Sequence, residues 1–317
     1  MCRAGHPHGA QPDSRSPNHK HMENNSSSTP PEVTSFFDSA TNTVTHVVSD
    51  PATKHATIID SVMDFDQSAG RISYASADAI AEYVLKHELT IEWILETHVH
   101  ADHLSAAPYL QQKLGGKIAI GAKILDVQNT FGKIFNEGIE FARDGSQFDR
   151  LWNDGDTFAI GRLAARVIYT PGHTPADLSY VIGDTVFVGD TLFMPDYGSA
   201  RCDFPGGSAA MLYDSVQKIF ALPDETRMFM CHDYLPEGRS EYVWETTVGE
   251  QKRFSVHTRV GTEKEQFVKR RVERDEQLGM PKLIIPSLQV NMRAGELPAA
   301  EDNGTRYLKV PLNVLGK

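Results

Sequence analysis

The residues with the clearest chemistry lie in one short run, residues 97–103. Four of its seven members are of types that bind metal ions: His98, His100, Asp102 and His103. The run follows an apolar stretch, residues 91–95, whose composition predicts a buried strand. Imidazole nitrogens and a carboxylate together suit zinc, iron and similar ions. The sequence therefore predicts a metal site where this strand ends.

The same residue types recur after three further apolar stretches. His173 lies in the run Thr-Pro-Gly-His-Thr, Asp190 in Val-Phe-Val-Gly-Asp-Thr and His232 in Met-Phe-Met-Cys-His-Asp-Tyr. A single histidine in such a place is more often a hydrogen-bonded core residue than a ligand. Four polar groups that each follow a buried strand favour one shared site, because a rigid scaffold then positions side chains in open loops.

The elements that must position these residues alternate between strands and helices. The apolar periodicity predicts helices over residues 76–87, 106–114, 209–222 and 263–278. Residues 178–182 and 185–188 flank Gly183 and Asp184 and predict a hairpin, and residues 121–150 form a mixed, partly helical insertion. Strands, crossover helices and a hairpin together indicate layered sheets with helices outside. Residues 1–32, rich in His, Pro, Ser and Asn, are predicted to be a disordered tail before a domain over residues 33–317.

Composition excludes several classes of protein. The formal net charge of the 317 residues is −11, which disfavours a nucleic-acid partner. No apolar stretch is long enough to cross a bilayer, and no secretory signal is evident, so we expect no membrane association. Only Cys2, Cys202 and Cys231 occur, too few for a disulfide framework, which is typical of a cytoplasmic protein. Cys231, although beside His232, is expected to be a small buried apolar group.

The His-x-His-x-Asp-His run, followed by Gly-His, Gly-Asp and a final His, resembles the metallo-β-lactamase superfamily over about residues 33–235. The resemblance implies an α+β fold, a four-layer αββα sandwich, with metals at one edge of the two sheets. For the binuclear hydrolases of that family it implies His98, His100 and His173 on one metal, and Asp102, His103 and His232 on the other. Asp190 would bridge the two ions.

Two branches of the family compete as the function. The segment 199–204 and the late Asn291-Met292-Arg293 resemble the iron-dependent persulfide dioxygenases, also called sulfur dioxygenases, and the insertion resembles the bacterial β-lactamase-hydrolase-like subgroup. That resemblance implies one Fe(II) on His98, His173 and Asp190, with glutathione persulfide and O₂ converted to sulfite and glutathione. The other metal-type residues would orient the ligands or form a second metal site: Asp60, His100, Asp102, His103 and His232. The alternative is a binuclear zinc thioester hydrolase resembling glyoxalase II, and a third hypothesis is a non-catalytic sulfide or redox sensor.

Three residues are expected to contact the substrate. Arg201 offers a two-pronged donor for a carboxylate, with Asp203 orienting it, and Tyr234 matches a tyrosine of glyoxalase II. Arg293 is either a second clamp or a residue that holds the C-terminal segment. That segment is expected to add a helix and a strand, without the several helices of glyoxalase II. By resemblance, a rhodanese-type sulfurtransferase partner and a homodimer are also expected.

Overall fold

The computed structural model describes residue 1 and residues 29–315. The predicted tail therefore lies mostly outside the described residues. The strands are β1 (Glu32–Asp38), β2 (Thr43–Ser49), β3 (His55–Ile59), β4 (Val62–Asp66), β5 (Arg71–Ser73), β6 (Thr90–Leu95), β7 (Leu104–Ser105), β8 (Lys117–Gly121), β9 (Arg150–Trp152), β10 (Thr157–Ile160), β11 (Leu163–Tyr169), β12 (Leu178–Ile182), β13 (Thr185–Phe187), β14 (Arg227–Phe229) and β15 (Glu245–Thr247). The helices are α1 (Ala75–Lys86), α2 (Ala107–Leu114), α3 (Ile124–Ile134), α4 (Ala209–Phe220), α5 (Val248–Phe254), α6 (Lys264–Asp275) and α7 (Ile284–Asn291).

The strands form two six-stranded sheets. The first has the order β1-β2-β3-β6-β8-β9, and the second has the order β10-β11-β12-β13-β14-β15. In the first sheet β1, β2 and β3 pair antiparallel, whereas β3, β6, β8 and β9 run parallel. The second sheet is antiparallel except where β13 pairs with β14. A small sheet, β5-β4-β7, lies beside them.

The apolar core forms three layers, because each large sheet is covered on both faces. Ile59 and Leu95 of the first sheet pack with Tyr180 of the second between the sheets. The preceding residues, Ile58 and Ile94, point the other way and pack against α1, α2, α3 and α7. This reversal follows from the two-residue period of a strand, and strands covered on both faces are apolar at successive positions. Helices α4 and α5 cover the outer face of the second sheet. The fold is the predicted four-layer αββα sandwich.

Most predicted elements are confirmed to within a few residues, but the C-terminal extension differs. It carries β15 and three helices, α5, α6 and α7, where one helix and a strand were expected. The expectation was wrong because α5 has seven residues and α7 has eight, with Pro286 inside. Seven of the eight residues of α7 are buried, so this helix lacks the polar face that would have predicted it.

Candidate metal centre

The ends of four strands bring the predicted ligands together at one edge of the sandwich. His98 follows β6, His173 follows β11, and Asp190 follows β13. We call these three residues the first cluster. Their ligand atoms lie within 4.8 Å of one another. Asp190 Oδ2 is 3.8 Å from His98 Nε2 and 3.4 Å from His173 Nε2, so one carboxylate oxygen faces both imidazoles.

A second cluster lies beside the first and consists of His100, Asp102, His103 and His232, with ligand atoms again within 4.8 Å of one another. His232 Nε2 lies 3.2 Å from Asp102 Oδ2 and 3.3 Å from Asp190 Oδ1. The two oxygens of Asp190 therefore face different clusters. The resemblance to binuclear hydrolases had implied that His100 joins His98 and His173, whereas the structure groups it with His103.

The clusters fit metal ions because their buried polar atoms lack other partners. Six such atoms form no hydrogen bond among the described residues: His98 Nε2, His100 Nδ1, Asp102 Oδ2, His103 Nε2, Asp190 Oδ1 and His232 Nε2. Folded proteins pair nearly all buried polar groups, and each unpaired one costs about 1–3 kcal/mol. Bound cations would satisfy all six atoms at once, and the mixed nitrogen and oxygen donors suit zinc or iron.

The remaining ring nitrogens are held by neighbours that orient each histidine. His173 Nδ1 donates to Arg201 O at 2.7 Å, and His232 Nδ1 donates to Asn42 O at 3.1 Å. The other two contacts are His98 Nδ1 with Thr97 Oγ1 at 3.0 Å and His103 Nδ1 with Thr43 Oγ1 at 3.3 Å. Partners of this kind fix the tautomer and leave the opposite nitrogen free to bind metal.

His100 is oriented in the opposite sense. Its Nε2 faces away from the cluster, 3.0 Å from Asp60 Oδ1 and 3.3 Å from Glu96 Oε2, which leaves Nδ1 for the metal. Asp60 is itself held by Thr97 through the backbone N and Oγ1, both at 2.8 Å. Asp60 therefore lies directly behind a ligand, as its position after β3 had suggested. Glu96 was not predicted, although it stands two residues before His98.

Burial and neighbouring charges set opposite protonation states within the site. Burial lowers the pKa of His98 well below its usual range, and the surrounding imidazoles lower it further. For His100 burial acts in the same direction, but Asp60 and Glu96 prevail and raise its pKa well above the usual range. Burial alone would raise the pKa of Asp102, yet His232 and His103 hold it far below its ordinary value. Asp102 is therefore an anion, ready to bind a cation.

Three residues of the clusters, Asp102, His173 and Asp190, line the floor of a cavity of about 1070 Å³. Tyr234 lines it and stacks on His232, with ring centroids 5.6 Å apart. Burial raises the pKa of Tyr234, with Asp102 and Asp190 adding to the effect, so its phenol stays neutral and can donate a hydrogen bond. On another wall Arg274 and Lys282 face the cavity, and within the described residues neither side chain forms a hydrogen bond or an ion pair.

Arg201 lines the cavity, but its two-pronged face is already occupied. Nε and Nη2 donate to the two oxygens of Asp203 at 2.7 and 2.8 Å, and Nη1 donates to Gly279 O at 2.6 Å. Asp203 thus orients Arg201, as expected, but it also takes the fork that was expected to bind a substrate carboxylate. A substrate role for this side chain stays a prediction that must use its remaining N–H groups.

Arg293 lies elsewhere, and its predicted role as a substrate clamp does not fit its position. Its Nη2 forms an ion pair with Glu137 Oε2 at 2.6 Å, and its guanidinium lies over the Phe141 ring, 4.4 Å from the centroid. The side chain is buried and is absent from the described lining of the cavity. Arg293 instead joins the end of α7 to the segment after α3, the second role considered for it.

Cys231, which was expected to be a small buried group, lies beside the ligands. Cys231 is buried, with Sγ within 4.8 Å of ligand atoms of Asp190 and His232, and burial keeps its pKa high, so it is a neutral thiol. Arg274 was not singled out from sequence because it is one of several charged residues on α6.

None of the helices in the described part of the chain combines the length and the apolar composition that a bilayer-spanning helix needs.

The αββα sandwich with clustered histidines and aspartates at one edge defines a metal-dependent class of protein. A family model for the metallo-beta-lactamase superfamily matches residues 41–232, and the chain belongs to that superfamily. The resemblance drawn from the motifs is thereby confirmed.

Among individual relatives, the chain is 52% identical to a probable metallo-hydrolase of Burkholderia pseudomallei (strain 1710b), covering 89% of this chain and 99% of that protein. It is 55% identical to a beta-lactamase hydrolase-like protein of Agrobacterium fabrum, covering 90% of this chain but only 65% of the longer relative. Glyoxylase B2 of Dictyostelium discoideum is 49% identical, with coverages of 90% and 97%.

Proteins named ETHE1 are more distant in sequence. The human mitochondrial persulfide dioxygenase ETHE1 is 27% identical over 82% of this chain and 87% of that protein. The crystal structure of ETHE1 from Myxococcus xanthus superposes with a TM-score of 0.66 at 30% identity, covering 84% of this chain and all of that one.

Proposed function

We propose that the chain is a binuclear metallo-hydrolase that cleaves a thioester of a glutathione-like thiol. The observation that carries the proposal is Asp190, whose two carboxylate oxygens face two complete ligand clusters. A carboxylate in this position can bridge two ions, and all of the ligand types that binuclear hydrolases use are present. The relatives that share about half of their residues with this chain are named as a metallo-hydrolase, a hydrolase-like protein and a glyoxylase.

The reaction adds water to the acyl carbon and breaks the bond between that carbon and sulfur, and the thiol leaves with a proton. Cations in the two clusters would supply Lewis acidity towards the carbonyl oxygen and would acidify a water molecule. The neutral phenol of Tyr234 lies at the cavity floor and can donate to the oxygen that becomes negative. His232, stacked against Tyr234, limits the movement of that ring.

The cavity wall suits the carboxylates of a glutathione-like substrate. Arg274 and Lys282, which have no ion-pair partner among residues 29–315, place two cations at the cavity wall on the side formed by α6 and the segment after it. Asp64 and Asp66 line another part of the cavity and can face an ammonium group. A ligand with two carboxylates and one amine, joined to an acyl sulfur, matches this distribution of charge.

Persulfide dioxygenase activity is the second candidate, and a specific observation favours it. The ETHE1 crystal structure from Myxococcus xanthus matches over its whole length at 30% identity. In that case one Fe(II) would be held by His98, His173 and Asp190, and glutathione persulfide, O₂ and water would give sulfite and glutathione. His100, Asp102, His103 and His232 would then orient ligands and water. A cytoplasmic location, a homodimer and a rhodanese-type partner are further proposals that accompany this candidate.

One experiment separates the two candidates. The protein is purified without oxygen, its metals are measured, and it is supplied in turn with S-lactoylglutathione and with glutathione persulfide. Thiol release from the thioester by protein with two zinc ions per chain, without oxygen uptake on persulfide, supports the hydrolase. One iron per chain with oxygen uptake, sulfite formation and no thioester cleavage would overturn it in favour of the dioxygenase.

A further inference from the structure

The backbone that carries most of the second cluster is bound to α7 through a single side chain. Asn291 Nδ2 donates to His100 O at 2.9 Å and to His103 O at 2.8 Å. Its Oδ1 accepts from the backbone N of Ser105 at 2.8 Å. Asn291 is 5% exposed, so one buried amide fixes three backbone groups within residues 100–105.

Ser105 extends this contact to the imidazole of His100. Its Oγ donates to Glu96 Oε1 at 2.6 Å. The other oxygen of Glu96 lies 3.3 Å from His100 Nε2 and has no other polar partner among the described residues. The hydroxyl therefore holds one end of a buried carboxylate whose other end faces the ring of a metal ligand.

The two carboxylates of Asp60 and Glu96 determine which nitrogen of His100 faces the metal. Both lie on the Nε2 side and hold an N–H group there, so Nδ1 is the nitrogen that can give up its proton and bind a metal ion. A flipped ring would direct a lone pair at two carboxylates and would be repelled. Asp60 is also held by Thr97, whereas Glu96 depends on Ser105.

We propose that Asn291, Ser105 and Glu96 are positioning residues that set the backbone and the ring orientation of the second cluster. They thereby determine its affinity for the second metal ion. None of the three touches the cavity or the ligand atoms of the first cluster. The inference rests on the two-metal centre of the proposed function.

The test is a titration of chelator-treated, full-length protein with Co²⁺, whose visible absorption reports the geometry of its ligands. Wild type should bind two ions. Asn291→Ala should bind the second ion about 10–100-fold more weakly, the usual effect of losing a partner that orients ligands, with the first affinity unchanged. Glu96→Gln keeps the shape but replaces one acceptor oxygen by a donor, so it should change the absorption of the second ion. Ser105→Ala should have the smallest effect.

Gln289 supplies the matched control. It is buried on α7, two residues before Asn291, and its Nε2 donates to Ile285 O and Lys309 O at 2.9 Å each. Gln289→Ala therefore loses buried amide bonds on the same helix without touching residues 100–105. It should lower the unfolding temperature to a similar degree while both Co²⁺ affinities and the absorption spectrum stay as in wild type.

The outcomes separate this inference from the proposed function. A folded Asn291→Ala protein with wild-type affinity and spectrum would overturn the inference. If that variant does not fold, unchanged affinity and spectrum in both Ser105→Ala and Glu96→Gln overturn it equally, and a selective change in the second ion supports it. Wild-type protein that cleaves no thioester but shows the expected Co²⁺ pattern would contradict the proposed function alone.

Discussion

The two metal-ligand clusters share Asp190, yet they are assembled in different ways. The first cluster takes His98, His173 and Asp190 from the ends of three strands, which belong to both sheets. The second cluster takes three of its four ligands from residues 100–103, and only His232 comes from another strand end. The first therefore depends on how the two sheets are aligned, and the second depends on the conformation of one short loop.

One edge of a sandwich can therefore hold two metal sites that respond to different structural changes. The packed interior between the sheets resists small changes because its side chains interdigitate closely. Residues 100–103 are mostly buried but belong to no strand or helix, so their hydrogen bonds to a neighbouring helix help to fix their shape. Changes to ligands shared by the clusters should remove both ions, whereas changes on one side should remove one.

The largest effect is expected for Asp190→Asn, which alters the one side chain that faces both clusters in the described part of the chain. The amide has one acceptor oxygen and no charge, so both ions should be lost or bound at least about 100-fold more weakly. Hydrolysis should fall by about 1000-fold or more, because several kcal/mol of charge stabilisation disappear. Metal analysis after gel filtration checks the loss. Two retained ions would show that Asp190 does not bridge the clusters.

A paired comparison of His173→Ala and His103→Ala should give the next largest effect. Each variant removes one ligand from one cluster, so each should keep one ion and lose most of the hydrolytic activity. Elemental analysis and thiol release measure both quantities. The pair also sharpens the choice of reaction: a His103→Ala protein with undiminished activity and one iron per chain would mean that only the first cluster is catalytic.

Sequence reasoning singled out the clustered metal-type residues, Asp60 behind them and Asp203 beside Arg201, but it missed Glu96, Ser105 and the contacts of Asn291. Each ligand follows an apolar strand, a local pattern that one sequence displays, and the two-sheet fold follows from those same strands. Arg201 also binds Gly279, and Arg293 binds Glu137. Both partners are far away in the sequence, so no local pattern predicts these contacts. Asn291 was named only as part of the segment that resembles the persulfide dioxygenases. The sequence of an apolar helix does not show which groups a single amide side chain will hydrogen-bond.

A smaller effect is expected for Arg274→Gln, which changes the cavity wall outside both clusters. An exposed ion pair contributes about 1 kcal/mol or less, so the KM for S-lactoylglutathione should rise by up to about fivefold with kcat unchanged. Metal content should stay at the wild-type level. Lys269→Gln is the control, because Lys269 lies on the same helix and its described contact is with Glu273, away from the cavity. Equal KM values for the two variants would show that Arg274 does not contribute to substrate binding.

The last prediction concerns stability rather than activity, through the alignment of the sheets on which the first cluster depends. His46 on β2 donates from Nε2 to Met230 O at 2.9 Å, just after β14, and so links the two sheets. Burial lowers its pKa to about 4, although the Met230 carbonyl and Asp60 act in the other direction. The folded protein therefore keeps His46 neutral at pH values where the unfolded chain, with an ordinary pKa of 6.5, binds a proton.

Stability should accordingly fall as the pH drops through 6.5 and level off, for this group, near 4. The difference between the pKa of His46 in the unfolded and folded protein corresponds to about 3 kcal/mol of stability, at about 1.4 kcal/mol per pKa unit. Urea unfolding of metal-free protein at pH 8 and at pH 4.5 measures it, and His46→Gln should lose most of this pH-dependent part. His87→Gln, which alters an exposed histidine at the end of α1, should keep it. If the free energy of unfolding of His46→Gln changed with pH as much as that of wild type, protonation of His46 would not be a cause of the loss of stability.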